Sequence, residues 1–151
     1  MNPSPPGWPR ISSAIFYQDA AAAIDWLCAA FGFEVRLRIE GEGGRIVHSE
    51  LTYGDGLIMV ASSGDHDGRK FPSASPRSLG GANTQSLFLY VDDAVTHCEA
   101  ARAAGARILD EPEVHDYGEE WWADRTYRAE DPEGHQWWVA QRVRTPEPHA
   151  G

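Results

Sequence analysis

The chain has 151 residues, a formal net charge of −10 and 42% hydrophobic residues, enough for one domain with a core or two small halves sharing one. The acidic balance argues against a nucleic-acid partner, whose phosphates reward Lys and Arg, and no apolar run approaches the roughly 20 residues that cross a bilayer. Residues 1–10 lack the apolar core of a signal peptide, and Cys28 and Cys98 form no spaced ladder, so the expected protein is cytoplasmic with free thiols.

Residues 1–9 are a Pro-rich lead-in. Ile11, Ala14, Ile15, Phe16 and Tyr17 predict a strand over 10–17. Asp19 is placed to cap a helix running to residue 31, with Ala22, Ile24, Leu27, Cys28 and Phe31 as its apolar stripe. Phe33, Val35, Leu37 and Ile39 alternate with charged residues, the pattern of a half-buried strand. A turn at 41–44, a strand at 45–53, the hairpin Gly54-Asp55-Gly56 and a strand at 57–62 complete a β-α-β-β-β order. Residues 63–84 carry Gly, Ser and Pro without periodicity and read as a linker, or a flap over a site. A second module occupies 85–142: a strand at 85–91, a helix at 93–104, a strand core at 107–109, a polar insertion at 110–120, and strands at 121–128 and 135–141. Residues 143–151 read as a frayed tail.

The two modules repeat one another. A slide of 73 positions lays Tyr17 on Tyr90, Asp19 on Asp92, Ala30 on Ala103 and Gly32 on Gly105, with Ser13 on Ser86. In each copy an apolar run ends at an Asp suited to a helix N-cap, and a Gly suited to a left-handed C-cap closes the helix. The last strands match at a spacing of 79, Val60 with Val139 and Ala61 with Ala140. Together with Tyr90-Val91-Asp92-Asp93, Ala103-Ala104-Gly105-Ala106 and Asp131-Pro132-Glu133-Gly134-His135, this order resembles the vicinal oxygen chelate superfamily over roughly residues 10–142. That superfamily includes the glyoxalase I, bleomycin-resistance and extradiol-dioxygenase proteins. The resemblance implies an α+β fold: two βαβββ modules forming an open, cup-shaped eight-stranded mixed sheet with helices on the outer face. It also implies a homodimer that packs or exchanges modules.

In metal-dependent relatives, the resemblance implies a divalent ion held by side chains on the first and last strands of each module. Carried onto this chain, those positions fall at Ser12, Met59, Ser86 (or Gln85 with a one-residue slip) and Trp138. None is a His or a carboxylate, the donors such a centre takes, so the expectation is no metal and no cofactor. His48 and Glu50 lie two apart on one strand and share a face. Facing the cup, they are candidates for a non-standard metal site with a third donor such as His135, or for acid–base work. Facing outward, they are a solvated edge, and the set Val47, Ser49, Leu51 and Tyr53 favours that second reading. His135 reads as a hairpin cap, His97 and Cys98 as structural, and His115 as exposed.

The remaining signal is aromatic. Trp121, Trp122, Trp137 and Trp138 form two pairs, with Tyr117 and Tyr127 nearby, and strand alternation turns one member of each pair toward the cup. The ligand positions the resemblance implies make Trp138 that member in its pair, with Phe88 and Tyr90 in phase with Ser86. The expected ligand-binding set is Trp138, Trp122, Met59, Phe88, Tyr90, Ser12 and Ser86, a surface suited to flat or cationic molecules. Glu119, Glu120 and Asp124 bias it toward cations and Arg125 works against them. The expected function is metal-free binding of an aromatic or cationic small molecule by a glyoxalase/bleomycin-resistance-like protein. The alternative is a metal-dependent lyase, isomerase or dioxygenase working through His48 and Glu50.

Overall fold

A computed structural model of the protein describes residues 1–64, 70 and 72–148, and its chain divides into two units, 1–82 and 83–151. The first contains β1 (Ser13–Tyr17), α1 (Ala20–Phe31), β2 (Glu34–Glu40), β3 (Ile46–Tyr53) and β4 (Gly56–Ser62). The second contains β5 (Leu87–Tyr90), α2 (Ala94–Ala103), β6 (Arg107–Asp116), β7 (Ala123–Glu130) and β8 (Gln136–Arg144). Each unit holds an open four-stranded mixed sheet, ordered β1-β4-β3-β2 and β5-β8-β7-β6. In both, the first strand pairs parallel with the last and the other pairs are antiparallel. The fold is α+β, as the two-module reading expects. Residues 65–69 and 71 of the expected linker, and 149–151 of the expected tail, lie outside the described residues. The described linker includes one short 3-10 turn, Pro76–Leu79, capped by Ser75.

In the first unit Asp19 accepts a hydrogen bond from Ala22 N at 3.1 Å, and Gly32 ends α1 at φ 85°, a conformation that favours glycine. Ala20, Ala23, Ile24, Leu27, Ala30 and Phe31 form the buried face of α1. That stripe is rotated from the expected one, leaving Ala22 exposed and Cys28 half-buried. The helix packs on the sheet, whose buried members include Ile15, Tyr17, Ser49, Leu51 and Val60. Each large apolar side chain buried there stabilises by roughly 1.5–3 kcal/mol. Ser49 avoids the cost of a buried hydroxyl by donating to Val60 O at 2.6 Å. Asp19→Ala is expected to lower stability by about 1 kcal/mol, read as an earlier urea midpoint with an unchanged slope. An unaltered midpoint would show that the cap is replaced by water.

β2 departs from the half-buried expectation. Of its alternating set only Phe33 is buried, while Val35, Leu37 and Ile39 are 45%, 39% and 45% exposed. The strand is an edge, and register shifts at Val35/Leu37 and Ile39/Glu40 break its alternation.

In the second unit, the residues expected to form a polar insertion largely continue β6, which pairs with β7 as far as Asp116↔Ala123. An edge strand with one solvated side tolerates such charge, and the irregular register around Pro112 bends it. Conversely, Trp121 and Trp122 precede β7 instead of opening it. The capping carboxylate of α2 is Asp93, which accepts from Val95 N and Thr96 N at 3.1 Å, and not Asp92. The parallel pairs Ala14↔Met59 and Phe88↔Trp138 are equivalent in the two sheets, so the first strands repeat at 74 positions, one more than the sequence match. β8 runs on to Arg144, into the expected tail.

Trp137, Tyr127, Val139, Ala129, Cys98 and Ala101 are buried in this unit's core. His97 Nδ1 lies 2.6 Å from Tyr127 Oη and ties α2 to β7. The β7–β8 turn is organised by Asp131, whose carboxylate accepts from Glu133 N at 3.2 Å, His135 N at 3.0 Å and Trp137 Nε1 at 3.1 Å. No helix among the described residues is long and apolar enough to cross a membrane.

Candidate functional site

The face of the second sheet opposite the core carries the candidate site. Cross-strand register places Phe88 beside Trp138, Tyr90 beside Ala140, Asp124 beside Arg142 and Arg128 beside Trp138, so these side chains share one face. Ser86, Phe88, Tyr90, Asp124, Thr126 and Trp138, joined by His115, Tyr117 and Trp122, line a hollow of about 540 Å³. A second hollow of about 610 Å³ shares His115, Thr126 and Trp138 and extends along residues 109–113 of β6. Trp138 is common to both, and the guanidinium of Arg128 lies 5.0 Å from its ring centre.

A charged network fixes one wall. Asp124 is only 3% exposed, and it is satisfied by Tyr90 Oη, which donates to Oδ2 at 2.8 Å, and Arg142 Nε, which donates to Oδ1 at 2.5 Å. Arg142 Nη2 also donates to Tyr90 Oη at 2.6 Å. Burial, followed by the hydrogen bond to Asp124, pushes the Tyr90 phenol up, so it stays protonated at neutral pH. The Arg142 guanidinium lies 5.3 Å from the Tyr90 ring centre and 5.6 Å from that of Trp122. The loop before β7 is anchored separately. Arg144 grips Asp116 at 2.5 and 2.8 Å and donates to Gly118 O at 2.8 Å, while Tyr117 N donates to Trp122 O at 3.1 Å. Arg144, then the Gly118 amide, holds the Asp116 carboxyl well below the usual carboxylate range.

The first unit has its own polar cluster. Glu50 pairs across β3–β4 with Met59, whereas Ser49 and Leu51 are buried on the opposite, core side. His48 and Glu50 therefore lie on the face away from the core, against the reading that made them a solvated edge, because Ser49 and Leu51 take the core side of this stretch of β3. Glu50 is 8% exposed. Its Oε1 accepts from Arg36 Nε at 2.9 Å and lies 2.8 Å from Arg36 Nη2, while its Oε2 lies 2.8 Å from His48 Nε2. An ionised carboxylate only accepts, so His48 must carry its proton on Nε2. Arg36 also donates to Gly7 O and stands 4.8 Å from the Trp8 ring centre, tying the lead-in to this sheet. The Ser12 hydroxyl is buried without a partner among the described residues.

The hydrogen bond from His48 holds the Glu50 carboxyl below its ordinary value; burial opposes it and Arg36 assists. A depressed carboxyl contributes stability that is present above its unfolded value and lost as pH falls through the folded one. The melting temperature of the wild type is therefore expected to fall faster than that of Glu50→Gln as pH drops from about 5 toward 3. Parallel curves would remove Glu50 from the acid transition.

Of the seven expected ligand-binding residues, Ser86, Phe88, Tyr90, Trp122 and Trp138 line one hollow in the second unit. Ser12 and Met59 belong to the first unit. His48 and Glu50 are in contact, but both oxygens of Glu50 are already engaged, which leaves it a poor proton acceptor. Among the described residues, no three His, Cys, Asp or Glu side chains gather to hold an ion. The positions that the family's metal would need offer two hydroxyls, a thioether and an indole, with the Ser12 oxygen already withdrawn from solvent. That donor set does not fit a divalent transition metal. Both thiols are pushed up by burial, so neither is a ready nucleophile.

Sequence reasoning missed Arg142, although it stands in phase with Trp138 and Ala140, the signal that would have found it. It is this residue that neutralises Asp124, whereas Arg125 reaches Gln141 at 3.5 Å. His115 was expected to be merely exposed, yet it borders both hollows.

Two βαβββ units, each with a helix on one side of an open mixed sheet and candidate side chains on the other, define a recognisable class. Residues 10–139 match the model of the glyoxalase/bleomycin resistance protein/dioxygenase superfamily, and the chain belongs to that superfamily. Mb0911c of Mycobacterium bovis, described as uncharacterized, is 31% identical over 137 residues, covering 90% of this chain and 85% of its own. TioX from Micromonospora sp. ML1 superposes with a TM-score of 0.68 at 28% identity, over 90% of this chain and all of that one. A glyoxalase/bleomycin resistance protein/dioxygenase family enzyme from Burkholderia phytofirmans PsJN shares the fold with a TM-score of 0.62 at 19% identity, over 87% of this chain and 97% of that one.

Proposed function

We propose that the protein binds a planar aromatic small molecule in the hollow of its second unit, without the superfamily's metal. The observation that carries this reading is the concentration of Phe88, Tyr90, Tyr117, Trp122 and Trp138 around one cavity of about 540 Å³, a volume within the range of small-molecule sites. Phe88, Tyr90, Tyr117 and Trp122 are 57%, 46%, 56% and 38% exposed. Leaving so much aromatic surface in water is costly for a fold that needs none of it for its core. Of the two ligand classes expected from the sequence, the aromatic one is favoured over the cationic one, because Asp124 is already paired with Arg142 and Glu119 and Glu120 are not among the residues lining the hollow.

The test is a tryptophan-fluorescence titration with a broad panel of fused-ring aromatics and matched aliphatic controls. Saturable quenching by aromatics alone is the expected result. Silence across the panel would sink the proposal.

A further inference from the structure

We infer that Arg142 is a resident cation that sets the charge selectivity of the hollow: it admits planar aromatics bearing an oxygen acceptor on the rim, neutral or anionic, and turns cationic aromatics away. This rests on the aromatic-binding reading above and specifies its ligand class. A cation entering an aromatic cavity seeks ring faces and a carboxylate. Here the ring faces are Tyr90 and Trp122 and the carboxylate is Asp124, and the Arg142 guanidinium is already in contact with all three. A cationic ligand would have to displace it and leave two positive charges in one small space. The geometry also leaves a donor free. Arg142 spends Nε on Asp124 and Nη2 on Tyr90, and its Nη1 makes no hydrogen bond among the described residues. Arg142 is not itself a lining residue, but it touches three that are, Tyr90, Trp122 and Asp124, so on this inference a ring carbonyl, amide or carboxylate at the edge of the hollow beside Tyr90 accepts from its guanidinium, a charge-assisted bond of the stronger kind.

The experiment uses three naphthalene probes that share one ring system: 2-naphthoate (anionic), 2-naphthamide (neutral) and 2-naphthylmethylammonium (cationic). They are titrated calorimetrically at neutral pH into wild type, Arg142→Met and Arg142→Lys. In the wild type, naphthoate and naphthamide should bind about tenfold or more tightly than the ammonium probe, a difference readily resolved as a ratio of dissociation constants. Arg142→Met should reverse that order, because Asp124 and two ring faces are released to the cation. Arg142→Lys should keep it. The wild-type order tests the inference even if the methionine variant does not fold. An ammonium probe that binds wild type as tightly as naphthamide, or an unchanged order in folded Arg142→Met, overturns the inference and leaves aromatic binding standing. No binding of any probe to any of the three proteins overturns both.

Discussion

Asp131→Ala is expected to be the most damaging single substitution in the second unit, lowering stability by about 3 kcal/mol or more. The carboxylate is 5% exposed and accepts three hydrogen bonds, two from backbone amides of its own turn and one from the Trp137 indole. Removing it leaves two buried donors and one part-buried donor, His135 N, without their acceptor, and each stranded buried donor costs roughly 1–3 kcal/mol. The turn also hands the chain from β7 to β8, so its loss loosens the register that aligns Trp138 with Phe88. Asp131→Asn keeps an oxygen for the amides but sets an N–H₂ against the indole, and it should fall between wild type and alanine. Chemical denaturation followed by tryptophan fluorescence reads the effect, and a loss below about 1 kcal/mol would mean that solvent replaces the carboxylate.

Trp138→Ala should weaken binding of any aromatic ligand by about thirtyfold, corresponding to about 2 kcal/mol for removal of a central aromatic anchor. Trp138 lines both hollows and stands against Arg128, so its loss removes ring surface from each. Stability should change less, since Trp138 stands on the uncovered face whereas Trp137, 1% exposed, carries the core. Trp137→Ala should show the opposite pattern, with lost stability of about 3–5 kcal/mol. Affinity unchanged in Trp138→Ala would move the binding site away from this face.

The fold was legible because its local signals agree with one another. Asp19 and Gly32 bracket α1, and the spacing of Tyr17, Gly32, Tyr90 and Gly105 declares a second copy. What misled were places where an edge relaxes the rules. β2 alternates as a buried strand does, yet no helix covers its apolar set. Residues 110–116 look like a loop because an edge strand at the solvent needs no apolar partner. On β3, Val47, Ser49, Leu51 and Tyr53 were read as the cup-facing set; Ser49 and Leu51 are buried on the helix side, which turns His48 and Glu50 to the opposite face of the first unit's own sheet, where Glu50 is only 8% exposed. Trp138 was placed by the family's ligand position, and Phe88 and Tyr90 by their phase with Ser86; parity alone says only that one tryptophan of each pair faces that side. Arg142 was missed because the last strand was ended at residue 141, although its phase with Trp138 and Ala140 places it on the same face, across the ladder from Asp124.

The side-by-side pairing of first and last strands, Ser13↔Ile58 to Tyr17↔Ser62 and Leu87↔Trp137 to Tyr90↔Ala140, has a consequence for biosynthesis. Neither sheet is whole until its final strand has left the ribosome, since the long segment between must close first. A nascent chain halted before residue 56 presents β1 and the oily side of α1 to water without β3 and β4 to pack against. Only once Ser62 emerges is every strand of the first sheet available to pair.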